Sequence, residues 1–205
     1  MRTVRRPLQI IRDHLRPYLV LNAVMYGLLL LGVALGLLFP QLNAARVEGL
    51  DTGGTTDLVV SLLTNPPLFA LTILAVNVFT VSLASIILPS LVIPFAGIAV
   101  FAYRAVTIGI TLAPNGSTTW AVLVPHSLTA LIEFQAYILL TLGVWVHGWA
   151  WLRPSTVDAA NRRQGYLRGL RSLGWLALAA LALLVLGAVY EALSLRYLVP
   201  VLAGV

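Results

Sequence analysis

Residues 68–113 read LFALTILAVNVFTVSLASIILPSLVIPFAGIAVFAYRAVTIGITLA, an apolar run of 46 residues. A helix crossing about 30 Å of hydrocarbon needs roughly 20 apolar residues, so this run is too long for one crossing. How it divides sets the side of the membrane on which every later segment lies. Pro89 and Pro94 sit near its middle, where a missing N–H and a ring clash interrupt helix. LPSLVIPF (88–95) carries no charge that would hold a loop in water. The stretch is therefore read as two spans joined by a tight hairpin at 89–94.

Composition identifies the solvent. Of the 205 residues, 60% are hydrophobic and 10% charged, with a mean hydropathy of +0.94. A soluble domain carries about 25% charged residues, and this chain could not cover its own surface in water. There is no cysteine, which excludes disulfides and thiolate chemistry. All thirteen basic residues are arginine. This removes phosphate-cradling and Schiff-base lysines and points to a GC-rich bacterial genome.

The net charge of +6 is not a nucleic-acid footprint, because its distribution follows membrane topology. Five arginines lie in residues 1–17 and five in 153–171, while only Arg46 and Arg104 fall between. Basic clusters flanking apolar runs mark cytoplasmic loops. With the 68–113 run counted as two spans, both clusters fall inside and only Arg46 and Arg196 fall outside. The expected fold is thus an all-α polytopic transmembrane bundle forming one domain over residues 1–205. Its five spans lie at about 18–39, 68–88, 92–113, 121–151 and 172–195. The N-terminus is in and the C-terminus out, with a polar outer loop at 40–66 (Gly53-Gly54 its turn signal) and a cytoplasmic basic loop at 153–171. Trp145, Trp149, Trp151 and Trp175 gather at the expected inner interface and Trp120 at the outer one. The implied location is a bacterial cytoplasmic (inner) membrane.

Two flanking segments read as interfacial. PLQIIRDHLRPYL (7–19) places Leu8, Ile11 and Leu15 on one helical face, forming a short N-terminal interfacial helix. RRQGYLRGLRSL (162–173) sets Arg162, Arg163, Arg168 and Arg171 among Tyr166, Leu167 and Leu170. These charges either set topology alone or dock anionic lipid or a partner protein.

The most informative polar residues are inside the membrane. Pro125 suits the first turn of a helix. At 1.5 Å per residue, Glu133 then lies roughly 12 Å below it, on the same face as His126 and Ala130. Arg104 and Asn77 fall roughly 15 Å below the same outer surface. Glu191 rises roughly 24 Å from the inner interface, into the same layer. Asn77, Arg104, His126, Glu133 and Glu191 therefore form an expected intramembrane polar cluster drawn from four helices. An unpaired charge at that depth costs several kcal/mol. Arg104 is accordingly expected to pair with Glu133, with Glu191 as the rival. The cluster reads as a polar lock within the bundle, as a proton, ion or substrate path, or as a docking site.

Other chemistries leave little trace. His126 and His147 are 21 residues apart on one helix, about 31 Å, too far to share a metal. Each could serve only as a lone haem or pigment ligand, and no cofactor or metal is expected. No HExxH, GxSxG, CxxC or glycine-rich phosphate loop occurs. GVALG (32–36) is a small-xxx-small pattern: Gly32 and Gly36 pack either within the bundle or across a homodimer.

VNVFTVSL (76–83), PFAGIAVFAYRAVTIG (94–109), VPHSLTALIEF (124–134) and LLVLGAVYEAL (183–193) resemble, in order and spacing, segments of the stage II sporulation protein M family. These are multi-span membrane proteins of bacteria and archaea. Ser127 stands where that family has glycine after the histidine, and Glu133 follows about one turn later than its glutamate. The resemblance implies a non-enzymatic membrane subunit that recruits partner proteins; membrane lipids and other integral membrane proteins are the expected partners. The expected function is such a scaffold or accessory subunit of a larger membrane complex. The alternatives are the membrane half of a transporter powered by a separate ATPase, and an intramembrane enzyme using His126 and Glu133.

Overall fold

The computed structural model describes residues 2–52, 61–62, 64–114 and 120–203. The Gly53-Gly54 turn signal lies outside the described residues, as does the side chain of Trp120. Among the described residues the chain is helical and contains no strand. α1 (Arg2–Asp13) precedes α2 (Leu15–Leu38) and α3 (Pro40–Thr52). α4 (Pro66–Val92), α5 (Ala96–Leu112), α6 (Trp120–Leu152) and α7 (Arg162–Leu202) follow. A short 3-10 turn, Pro154–Val157, links α6 to α7. Four of these helices (α2, α4, α6 and α7) are long and apolar enough to cross a membrane; α5 is apolar but shorter, at 17 residues.

α6 is the hub. Of its most apolar stretch 67% is buried, against 22% in α2 and in α4. It packs most extensively on α7, while α2 packs on α5. Phe101, Phe134 and Tyr137 form an aromatic centre, with ring centroids 5.3 and 5.5 Å from Phe101. Met25, Ile86, Ile138, Leu142 and Leu176 fill the space around it with no exposed surface. The outward faces carry Leu38, Phe79, Val92 and Val201, each more than 60% exposed. Apolar residues this exposed suit a hydrocarbon solvent rather than water.

The 68–113 run divides as expected into two helices, but not at Pro89. α4 continues through Pro89 to Val92, because Asn77–Ile87 is a π-helix whose turns are one residue wider. The Leu88 N–H bonds Leu83 O, five residues back, so the usual register that a proline breaks is already altered ahead of it. Ser82 and Ser85 hydroxyls donate to Asn77 O and Thr80 O, also five residues back, at 3.0 and 2.7 Å. The chain reverses at Ile93–Phe95. Ile93 is extended, as a residue before proline prefers, and Phe95 takes a left-handed φ of 67°. Gly97 lets the two helices meet there: a Cβ would lie 1.8 Å from Ile86 O. Its N–H donates to the buried Ser90 Oγ at 2.8 Å.

Four further expectations are corrected. The polar segment after residue 40 begins as a helix, α3, rather than a loop. Asn43 explains why it docks: its side-chain amide donates to Ile110 O, Thr111 O and Ala113 O at 2.9–3.3 Å. Those carbonyls belong to the last turn of α5, where the regular helical pattern runs out of N–H donors; Ile110 O also accepts the Ala113 N–H, at 3.3 Å. α6 starts at Trp120, so Pro125 lies inside the helix and not in its first turn. The helix through 7–19 is interrupted at His14. The 162–173 segment is not a separate interfacial helix but the first turns of α7. Gly165 and Gly169 bury it against Ala150 and His147 of α6, and Asn161 caps its start through the Gln164 N–H.

A polar cavity between four helices

Asn77 stands at the first residue of the π-helical stretch and donates from Nδ2 to Glu133 Oε1 at 2.5 Å. Glu133, in the middle of α6, also faces Gly187 of α7. A Cβ on Gly187 would lie 3.0 Å from Glu133 Cγ, so the absence of a side chain there gives the carboxylate its room. Seven residues earlier on α6, His126 sets Nδ1 3.5 Å from Glu191 Oε1 of α7. Both intramembrane carboxylates thus have partners drawn from a different helix.

The expected Arg104–Glu133 ion pair is not formed. Among the described residues Arg104 makes no ion pair with either carboxylate. Asn77 has taken Glu133 from the α4 side, and the His126 imidazole faces Glu191. Arg104, Glu133, His126 and Asn77 nevertheless line one cavity of about 200 Å³, so four of the five predicted residues gather there, and Glu191, the fifth, adjoins it through His126. A second cavity, of about 570 Å³, shares Arg104, Ile108, Leu112 and His126 with the first. It extends towards α3, where Arg46 and Gly49 line it with Thr107 and Thr111.

Sequence reading missed several participants. Tyr137 and Thr129 line the first cavity, and their spacings of four from Glu133 would have placed them on its face. Gly187 carried no signal of its own. Gln135, two residues beyond Glu133 on α6, points the other way: it donates to Tyr18 Oη at 2.6 Å and accepts from the Tyr26 hydroxyl at 3.4 Å. It ties α6 to α2 rather than joining the cluster.

At the other end, Arg162, Arg163 and Arg171 are exposed. Arg168 is exposed too, and donates to Val157 O at 2.5 Å. A cavity of about 420 Å³ lies here, lined by Asp13, His14, Trp145, Trp149 and Arg153. The Arg153 guanidinium sits 4.8 Å above the Trp149 ring. His147 is fully buried at the α6–α7 contact, edge-on to Tyr166 at 4.6 Å. Gly32 and Gly36 face α5 of the same chain: a Cβ on Gly32 would lie 2.1 Å from Val106 O, and one on Gly36 2.5 Å from Ala113 Cβ. The glycine face is therefore covered within the bundle and not free for a second copy. Comparisons with protein-family models, with curated proteins and with solved structures give no match.

Proposed function

We propose that this chain is a non-enzymatic integral membrane scaffold or accessory subunit of a larger membrane complex. The observation that carries the reading is the engagement of both membrane-level carboxylates by neighbouring helices, Glu133 by Asn77 and Glu191 by His126. Groups committed to tying α4, α6 and α7 together act as a structural lock, where an intramembrane enzyme would hold an acid and a base free for substrate. The resemblance to the stage II sporulation protein M family supports the same role. In this proposal α5 is the fifth span. Its 17 residues reach about 25 Å, at the short end of what crosses a bilayer. The N-terminus and the 153–171 arginines lie in the cytoplasm of a bacterial cell, with the C-terminus outside. Affinity purification from native membranes in mild detergent tests the assignment. An integral membrane protein is expected to co-elute in fixed stoichiometry and to be lost from a Glu133→Leu variant. Substrate turnover by the purified chain alone would overturn it.

A second reading is supported by the two adjoining cavities: the membrane subunit of a transporter driven by a separate ATPase. Stoichiometric co-elution of an ATP-binding protein, in place of a second membrane protein, would favour it.

A further inference from the structure

We infer that the larger cavity, between α3 and α5, is a binding site for an oxyanion, a phosphate or a carboxylate, held between Arg46 and Arg104. Three observations converge. First, its polar lining consists of Arg46, Arg104, Thr107, Thr111 and His126, and no carboxylate lines it among the described residues. Second, Arg104 sits in the middle of an apolar helix, half-buried, and makes no ion pair among the described residues. A guanidinium at membrane depth without a counterion is costly, and the two carboxylates in reach of its cavity are already engaged by Asn77 and His126. Third, Arg46 reaches the same cavity from α3, which Asn43 pins to the end of α5. Its Nη2 donates to Tyr103 Oη at 3.5 Å, an exposed contact that ties the guanidinium to α5 through one of its five N–H donors.

Two guanidinium groups converging from different helices present planar pairs of N–H donors, the geometry that matches a carboxylate or phosphate bidentately. Thr107 and Thr111 donate their hydroxyls to Arg104 O and Thr107 O at 2.9 and 3.0 Å. They therefore line the site without competing for the anion as charges. The same chemistry admits two sources: a free anion entering from water, or the headgroup of an anionic phospholipid whose chains stay in the bilayer. The site stands on the geometry of this chain alone. It does not depend on a partner, so its test is independent of the scaffold assignment.

Delipidated protein in detergent would be titrated with inorganic phosphate and followed by thermal unfolding. In parallel, protein in nanodiscs of mixed phosphatidylcholine and phosphatidylglycerol would be released into native mass spectrometry and its retained lipids counted. Saturable binding of at least one probe is expected. Arg46→Gln and Arg104→Gln should each weaken that probe by at least about tenfold, the loss of one charge-assisted hydrogen bond. Arg171→Gln, at the opposite end, should leave it unchanged. Phosphate binding identifies a free anion, and phosphatidylglycerol retained without phosphate binding identifies a lipid headgroup. The inference fails if neither probe binds saturably, or if the probe that binds is held equally well by the Arg46 and Arg104 variants. Should Arg104→Gln not fold, the exposed Arg46→Gln decides the matter.

Discussion

Adding one methyl group to α2 should have opposite consequences at two glycines five residues apart. At Gly32 a Cβ would lie 2.1 Å from Val106 O and 2.9 Å from Gly109 Cα, where ordinary contact begins at 3.4 Å. Both obstacles are backbone, so no side chain can swing aside. α2 and α5 would have to separate by about 1 Å, which forfeits a quarter to a half of each displaced contact. Overpacking of this kind costs about 1–3 kcal/mol. With backbone on both sides the upper part of that range applies, about 2–3 kcal/mol; the better helix propensity of alanine returns about 1 kcal/mol, leaving a net loss of about 1–2 kcal/mol for Gly32→Ala. At Gly27 nothing lies within 4 Å of the added Cβ. Only the propensity acts there, so Gly27→Ala should be stabilising by about 0.5–1 kcal/mol. Titration of mixed micelles with a denaturing detergent, followed by helical circular dichroism at two protein concentrations, reads both. A Gly32→Ala variant as stable as the parent would refute the intrachain packing argument. A loss that grows on dilution would place the glycine face between two chains instead.

Asn43→Ala removes the amide that holds three carbonyls at the end of α5. A loss of about 1–2 kcal/mol is expected in the same assay, and an unchanged midpoint would mean that α3 does not cap α5. Asn77→Ala and Glu133→Ala remove the two ends of one hydrogen bond. Their double-mutant cycle should show a coupling of about 0.6–2 kcal/mol, and simple additivity would separate the two residues. Reporter fusions at residues 1 and 205 should report opposite sides of the membrane; the same side for both would leave the chain with an even number of spans.

Much of the architecture was legible in the sequence because a bilayer is a simple solvent. A hydrocarbon slab imposes one length on a crossing segment and satisfies no backbone group, so long apolar runs can only be helices. α2, α6 and the membrane part of α7 lie close to where hydropathy put them. Depth was equally readable, because rise per residue converts position into height, and Asn77, Arg104, His126 and Glu133 do line one cavity. Less legible were elements whose cause is a contact. α3 is polar and shows no apolar stripe; its docking depends on Asn43 meeting carbonyls of α5, 67–70 residues away. The survival of α4 through Pro89 depends on the widened turns before it and on serine hydroxyls bonding five residues back.

The sequence by itself determined the solvent, the helical class, the approximate helix positions and the layer in which the polar residues sit. Each of these depends on local composition and on height along one axis. Only the tertiary structure decided which polar group meets which, because that depends on rotation about each helix and on the choice of neighbour. Asn77 holds Glu133 and His126 faces Glu191. Arg104, at the same depth, is left to a cavity because α5 is pressed against α2 through Gly32, Gly36 and Gly109. Rise per residue gives height, but azimuth is set by where small residues allow two backbones to touch.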